Sequence, residues 1–267
     1  MPIKVDLFIV DPQVDFCEPT GKLYVKNAEK DMDRLANMIN RIGNKLNDIH
    51  VTLDSHHFFD IAHPIFFKNS AGQNPPPFTI ISDTDVENGV WIPTIPSLTK
   101  PTIAYLKALK AANRYPHCIW PPHCLIGSEG ASIYPEVFQA LVKWEQENVA
   151  MVDMVTKGSN YMTEHFSGIK AEVPDPQDPS TQVNTKLIQT LLDADMIAIA
   201  GEAGSHCVRN TVIDIATEFG NVDYVKKMVL LEDATSPVPG FENFQTDFIN
   251  EMVKKGMQIS NTVDFLK

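Results

Sequence analysis

The sequence predicts an α/β fold of three layers, in which a mainly parallel β-sheet lies between two layers of helices. Short apolar segments of strand length alternate with amphipathic segments of helix length along the 267-residue chain. This alternation is typical of right-handed β-α-β crossovers, which place neighbouring strands parallel. Because 43% of the residues are hydrophobic, the chain can also bury one sizeable core. We therefore predict a single domain over 1–267.

The predicted elements follow one another from the amino end. The first strand, VDLFIVD, covers 5–11, and the helix after it presents apolar residues at steps of three and four. Those residues are Met32, Leu35, Ile39, Ile42, Leu46 and Ile49. The remaining strands are predicted at 49–56, 117–120, 149–159, 195–203, 224–234 and 257–262. The remaining helices are predicted at 135–147, where Pro135 suits the first turn, and near 184–194, 207–219 and 242–254.

Two Pro-rich segments, 57–101 and 172–182, interrupt this alternation without a clear periodicity. The first contains several aromatic residues, which disordered segments avoid. Long loops that are ordered are commonly functional. We interpret residues 57–115 as an inserted cap over the pocket or as a contact between subunits, and we expect a homo-oligomer.

Charge and composition exclude several classes of function. A formal net charge of -12 and a pI of about 5.0 argue against non-specific binding to nucleic acid or anionic membranes. The sequence has no apolar run long enough to span a membrane, and Asp6 and Asp11 interrupt the apolar start, unlike a signal peptide. The four cysteines lack the spacing of a zinc ribbon or a disulfide scaffold, so we expect a reducing cytoplasm.

Polar residues stand at the ends of successive predicted strands. They are Asp11, Asp54, His56, His123, Lys157 and Cys207. In parallel sheets, active sites form outside the carboxyl ends of the strands. Each residue alone has an ordinary explanation as a cap, a solvated side chain or core packing, but together they are the residue types of a cysteine hydrolase with a metal site.

Five segments resemble the isochorismatase-like cysteine hydrolases, and within them the nicotinamidase branch. FIVDPQVDFC matches the opening Val-Asp-x-Gln-x-Asp-Phe motif, and TLDSHHFFDIAH resembles the metal segment. IWPPHCLIGSEGA resembles the Trp-Pro-x-His-Cys segment, VTKGS the lysine motif and GEAGSHCVRNTVIDIA the cysteine motif. The matches keep the family order from 7 to 262. The resemblance implies the family's Rossmann-like α/β/α fold.

The resemblance also implies a catalytic triad of Asp11, Lys157 and Cys207. Placement at a helix start and a nearby Lys⁺ both favour the thiolate form of a cysteine. In this family Asp11 would carry the proton, and Cys207 would attack an amide carbonyl to give a thioester that water hydrolyses. The oxyanion would lie on the backbone N–H groups of Ala203 and Cys207, with a cis peptide bond at Glu202–Ala203.

Asp54, His56 and His123 correspond to the family's three metal ligands. One carboxylate and two imidazoles suit a divalent ion, so the resemblance implies zinc, with iron or manganese as alternatives. In nicotinamidases this ion can hold the ring nitrogen of the substrate.

Phe16, Trp120 and His206 correspond to residues that line the substrate pocket. For His206 a half-exposed position in a loop is an equal alternative, whereas Phe16 and Trp120 can pack in the core and line the pocket at once. His57 and His63 lie near the metal segment without matching a ligand.

The sequence departs from the nicotinamidase pattern at Ser55, where a Trp is common, and in its long insertion. The residue pattern therefore leaves the substrate open among nicotinamide, other small amides, and carbamoyl or ureido compounds. A vinyl-ether hydrolase of the isochorismatase type needs no nucleophilic cysteine, so Cys207 argues against that alternative. A non-catalytic α/β scaffold would give no reason for six polar residues to end strands.

Overall fold

A computed structural model describes residues 3–267, so residues 1 and 2 of the predicted domain lie outside the described range. The strands are β1 (Val5–Val10), β2 (Asp48–Asp54), β3 (Phe67–Lys68), β4 (Ile80–Ile81), β5 (Ile92–Pro93), β6 (His117–Cys118), β7 (Asp153–Lys157), β8 (Met196–Gly201), β9 (Met228–Leu231) and β10 (Gln258–Ser260). The α-helices are α1 (Val14–Cys17), α2 (Ala28–Ile42), α3 (Asp83–Glu87), α4 (Thr99–Ala112), α5 (Pro135–Asn148), α6 (Thr185–Asp193), α7 (Cys207–Glu218) and α8 (Glu242–Lys254).

The central sheet has six strands in the order β10-β9-β8-β1-β2-β7, and every neighbouring pair is parallel. The register pairs Val10 with Gly201 and Asp54 with Lys157. The carboxyl ends of β8, β1, β2 and β7 therefore meet along one edge of the sheet. This architecture confirms the predicted fold class.

Alternation along β1 shows how the two faces of the sheet are covered. Leu7 and Ile9 point into a core shared with α2 and α5, whereas Phe8 and Val10 point into a second core shared with α6, α7 and α8. Side chains of a strand alternate between faces, so one apolar run can serve both cores. The sheet is thus buried between two helical layers.

Some predicted element boundaries differ from the structure. The first long helix ends at Ile42, so Leu46 and Ile49 do not extend its apolar face, and Ile49 belongs to β2. Gly43 follows the helix, where glycine has low helix propensity, and its carbonyl accepts a hydrogen bond from Trp144 Nε1 at 3.0 Å. The strands predicted at 149–159 and 224–234 are shorter, covering 153–157 and 228–231.

The strand predicted at 117–120 is not part of the central sheet, and this prediction is wrong. Only His117 and Cys118 form a strand, and they pair antiparallel with Ile80 and Ile81. The prolines at 121 and 122 lack the N–H that a longer ladder needs. His123 consequently reaches the sheet edge from a loop.

The inserted segment 57–115 contains β3, β4, β5, α3 and α4 and packs around its own apolar cluster, which includes Phe66, Phe67 and Ile81. Helix α4 is absent from the sequence prediction, although its buried Thr102, Tyr105, Leu106 and Leu109 have helical spacing. Pro101 interrupts the helical pattern in the sequence, because proline usually indicates a loop. In the structure it lies in the first turn of α4, where a missing N–H breaks no intrahelical bond. Among residues 3–267, no helix is long and apolar enough to cross a membrane.

Candidate active site

Four of the predicted catalytic and metal-binding residues lie at the edge of the central sheet where the carboxyl ends of β8, β1, β2 and β7 meet. Asp11 directly follows β1, Asp54 and Lys157 are the last residues of β2 and β7, and Cys207 begins α7 after β8. All four side chains are buried. The structure therefore brings together residues separated by up to 196 positions in the sequence, from Asp11 to Cys207.

Lys157 connects the other three residues. Its Nζ lies 2.9 Å from Asp11 Oδ2, 3.1 Å from Asp54 Oδ1 and 3.7 Å from Cys207 Sγ. It also donates to the backbone carbonyl of His165 at 2.9 Å. Burial alone would lower the pKa of Lys157, but the Asp11 and Asp54 carboxylates raise it well above its usual range. The side chain is therefore a buried ammonium beside the thiol.

Asp11 is fixed by Thr52 of the neighbouring strand. The Thr52 hydroxyl donates to Asp11 Oδ1 at 2.6 Å, and the Asp11 N–H donates to the Thr52 hydroxyl oxygen at 3.0 Å. Asp11 has a φ of 44°, a conformation that costs free energy for a residue other than glycine and is typical of functional sites. Burial raises the pKa of Asp11, and the Lys157 ammonium opposes that increase. Sequence reasoning missed Thr52, a polar residue within an apolar strand.

Cys207 is the first residue of α7 and lines the pocket described below. Burial raises the pKa of its thiol well above the usual range, and Lys157 only partly opposes this effect. The resting side chain is therefore a thiol, and the expected influence of Lys157 is present but outweighed. A hydrogen bond with Asp11 also raises the pKa of Cys207.

The turn before Cys207, residues 203–207, is held by its own backbone and by the segment after β9. The Glu202–Ala203 peptide bond is cis, at the position that the resemblance implies. The Ala203 carbonyl accepts from the N–H groups of His206 at 3.0 Å and Val208 at 3.2 Å. The Glu202 side chain does not line the cavity described below, and it accepts from the Ser236 N–H at 3.0 Å.

Asp54, His56 and His123 form a buried cluster whose three potential ligand atoms lie within 4.8 Å of one another. Asp54 Oδ2 lies 3.1 Å from His56 Nε2 and 3.4 Å from His123 Nε2. The cluster forms although His123 follows no strand of the sheet, because the loop after Trp120 turns back beside β2. His56 pairs with Leu125 of this loop in an isolated bridge.

A second layer of contacts orients the three side chains. His56 Nδ1 faces Asp60 Oδ2 at 3.0 Å, and His123 Nδ1 faces the Pro121 carbonyl at 2.8 Å. The Gln13 side chain donates to the backbone carbonyl of Asp54 at 2.8 Å and accepts from the backbone N–H of Asp54 at 2.7 Å. With each Nδ1 committed to an acceptor, both Nε2 atoms are directed at the Asp54 carboxylate. The sequence analysis did not identify Asp60, although its position four residues after His56 could have suggested a contact with that histidine.

The two other histidines of this segment differ in environment. His57 is exposed. His63 is buried, its ring centroid lies 5.1 Å from that of His56, and its Nδ1 lies 3.2 Å from the Phe58 carbonyl. Burial lowers the pKa of His63 to about 4, so its ring is neutral at physiological pH.

Phe16, Trp120 and His206 line one small cavity of about 30 Å³ together with Asp54, His56, His123 and Cys207. Its remaining lining residues are Leu23, Glu164, His165, Phe166, Ala203 and Val238. Burial lowers the pKa of His206 to about 3 and raises that of Glu164 to about 8, so both groups are neutral near pH 7. A larger open groove of about 360 Å³ runs along α4 and contains none of these residues.

Solved structures of nicotinamidases and pyrazinamidases share this architecture over their whole length. The yeast nicotinamidase Pnc1p is 19% identical, with 96% of this chain and 99% of Pnc1p covered at a TM-score of 0.66. PnC1 from L. infantum, in complex with nicotinate, is 20% identical, with 98% and 95% covered at a TM-score of 0.60. This chain has the nicotinamidase fold.

A zinc complex is known for another protein with the nicotinamidase fold. The pyrazinamidase of Pyrococcus horikoshii, in complex with zinc, is 20% identical to this chain, with 97% and 99% covered at a TM-score of 0.56. No protein-family model and no curated protein sequence matches the chain. The fold implied by five short motifs is therefore confirmed by architecture, at a sequence identity too low to transfer activity directly.

Proposed function

We propose that this protein is a cysteine-dependent amidohydrolase that cleaves a small, nicotinamide-like amide to a carboxylate and ammonia. The observation that carries the proposal is the contact of the Lys157 ammonium with both Asp11 and Cys207 at a small, closed pocket. A nucleophile, a proton carrier and a buried cation within reach of one another are the parts that covalent catalysis requires.

In the first half-reaction, Asp11 takes the proton from the Cys207 thiol while Sγ attacks the amide carbonyl carbon. Lys157 stabilises the sulfur as negative charge develops, because its ammonium lies 3.7 Å away in a buried site. The oxyanion lies against the N–H groups of Ala203 and Cys207. Asp11 then returns the proton to the leaving nitrogen, the C–N bond breaks, and ammonia departs from a thioester.

In the second half-reaction, Asp11 takes a proton from water while the water oxygen attacks the thioester carbonyl. The C–S bond breaks, the acid product leaves, and the proton returns to Cys207. The raised pKa of Asp11 suits this role, because a base whose pKa lies closer to the working pH both accepts and returns protons readily.

Asp54, His56 and His123 fit a divalent ion, and we propose zinc, with iron or manganese as alternatives. The set joins one carboxylate to two imidazoles whose Nδ1 atoms already face acceptors, which is the usual arrangement of histidine ligands. When bound, the ion supplies a Lewis-acid contact that orients the substrate. The chain's own contribution is to fix the three ligand atoms beside the pocket.

Protein purified without added metal or chelator is expected to contain about one divalent ion per chain, measured by elemental analysis. His123→Ala should abolish this stoichiometry, whereas His57→Ala, in an exposed position nearby, should not change it. Chelation should weaken substrate binding more than it lowers the melting temperature, because the catalytic triad is held by other contacts. A wild-type protein that stays metal-free after incubation with zinc would contradict the proposed metal site.

Gly158→Ala should reduce zinc affinity about tenfold or more, because an added Cβ would lie 2.7 Å from Asp54 Oδ1. Gly158 has a φ of +87°, so the substitution also costs about 1–2 kcal/mol of backbone strain. Gly89→Ala is the matched control, since its φ is +72° and no atom lies within 4 Å of its added Cβ. Equal zinc affinities in calorimetric titrations of the two variants would rule out displacement of Asp54.

An ammonia-release screen with nicotinamide, pyrazinamide, carbamoyl and ureido compounds tests the proposed substrate class. Release from the nicotinamide-like amides supports the proposal, and release only from carbamoyl or ureido compounds would replace the substrate while keeping the mechanism. Vinyl-ether cleavage that survives removal of the thiol would favour the isochorismatase-type alternative.

Rapid labelling of Cys207 by small thiol reagents would distinguish an enzyme from a non-catalytic scaffold, because the buried cysteines of a scaffold are inert.

Cytoplasmic location and a homo-oligomeric state are part of the proposal. The homo-oligomeric state is supported by strand β7, which lies at an edge of the central sheet. Just before this strand, the side chains of Val149 and Met151 are 93% and 84% exposed. Exposed apolar side chains beside an unpaired strand edge are typical of subunit contacts.

A further inference from the structure

Tyr115 connects the inserted segment to the turn that carries Cys207. It follows α4 closely and is 6% exposed. Its hydroxyl donates to the Ser205 carbonyl at 2.6 Å, and its ring stacks on His206 with centroids 4.8 Å apart and planes inclined by 19°. Ser205 and His206 are the two residues immediately before Cys207, so one side chain contacts both of them.

Tyr115 is itself firmly held. Arg209 Nη1 donates to the Tyr115 hydroxyl at 3.0 Å, and the guanidinium carbon lies 5.1 Å from the ring centroid. Phe166 and Phe244 contact the ring at centroid distances of 5.4 and 5.2 Å. Burial raises the pKa of Tyr115, so the hydroxyl keeps its proton and can donate it to Ser205.

The turn depends on side-chain contacts for its shape. His206 has φ and ψ of -129° and -87°, outside the regular regions, and its side chain does not cap α7. The Ser205 hydroxyl accepts from the Val238 N–H at 3.0 Å and lies 2.9 Å from His206 Nδ1. Rotation of the Ser205–His206 peptide would move Cys207 relative to Lys157 and Asp11.

We propose that Tyr115 is a positioning residue for the nucleophile. Its hydroxyl fixes the direction of the Ser205 carbonyl, its ring fixes the His206 side chain, and together they set the place of Cys207 Sγ. The inserted segment then contributes to the chemical step, although none of its residues lines the cavity. This inference rests on the proposed function, because it assumes that Cys207 attacks the substrate.

Tyr115→Phe separates positioning from packing, since it removes the hydroxyl and keeps the ring. We expect kcat and the rate of Cys207 alkylation by iodoacetamide each to fall about tenfold, because small misplacements of reacting groups are costly. KM should stay within about twofold, because Tyr115 does not line the cavity. The matched control is Tyr134→Phe, which removes the hydroxyl of another buried tyrosine, one that donates to Asp33 at 3.4 Å outside the site.

A kcat and an alkylation rate that match those of Tyr134→Phe would overturn the inference, and so would a fall that appears only in KM. If Tyr115→Phe is too unstable to assay, Arg209→Gln replaces it, because it removes the guanidinium that holds the Tyr115 hydroxyl and so loosens that hydroxyl from the Ser205 carbonyl. An unchanged kcat in that variant would likewise overturn the inference. Cys207→Ala in the same assay tests the proposed function separately: if it is inactive while Tyr115→Phe is normal, only this inference fails.

Discussion

Cys207→Ala is expected to lower kcat by about 10⁴-fold or more and to leave the protein folded. Loss of a nucleophile removes the covalent route, and removal of single triad members in other hydrolases has effects of this size. The side chain shrinks by one sulfur atom next to the pocket, so the melting temperature should change little. Ammonia release measures the activity, and a circular dichroism melt measures the stability.

Cys118→Ala is the control for this substitution. Cys118 is also buried, and burial raises the pKa of its thiol to about 12, but it does not line the cavity. The Cys118→Ala variant should therefore retain wild-type turnover. Among the four cysteines, Cys207 should alkylate fastest near neutral pH, because Lys157 lies beside it and because Cys207 lines the cavity. Substantial activity in Cys207→Ala would refute the mechanism.

Asp11→Asn has the second-largest expected effect, a fall in kcat of about 10²–10⁴-fold. The amide has nearly the same shape and its oxygen can still accept from the Thr52 hydroxyl, but it cannot take the thiol proton. Lys157 retains the Asp54 carboxylate at 3.1 Å as a partner for its charge, so the fold should persist. Steady-state and single-turnover ammonia release would show whether the chemical step is slowed.

Asp6→Asn is the matched control, because Asp6 is a buried carboxylate at the other end of the same strand. It accepts from Asn47 Nδ2 at 3.0 Å and lies 3.6 Å from His50, remote from Cys207. We expect less than about a threefold change in kcat for this variant. A loss in Asp11→Asn that does not exceed the loss in Asp6→Asn would remove Asp11 from the mechanism.

Local sequence patterns predicted much of the fold because β8 is a continuous apolar run, β1 is apolar apart from Asp6, and α7 and α8 have regular amphipathic spacing. In a parallel sheet, knowing that Asp11, Asp54 and Lys157 end strands is nearly enough to place them together. The prediction for His123 rested on a strand that does not join the sheet. The cluster still forms because the loop carrying His123 is fixed by Asp15, which accepts from the Cys124 N–H at 2.7 Å.

The supporting contacts of the site could not be predicted, because they join segments that are distant in the sequence. Thr52 lies 41 positions from Asp11, and Tyr115 lies 90 positions from Ser205. Hydrophobic periodicity describes one element at a time and says nothing of which polar side chains meet across elements. Helix α4 was missed for a local reason, since Pro101 near its start resembles a loop signal.

Detection of an acyl group on Cys207 during turnover tests the central claim most directly. The best substrate from the ammonia-release screen is mixed with the enzyme, quenched in acid within the first turnover, and the protein is analysed by intact and peptide mass spectrometry. The proposed mechanism predicts an added acyl mass on the peptide containing Cys207, released by hydroxylamine and absent in Cys207→Ala. Rapid ammonia release with no acyl adduct at any sampled time, or an adduct on a different residue, would contradict it.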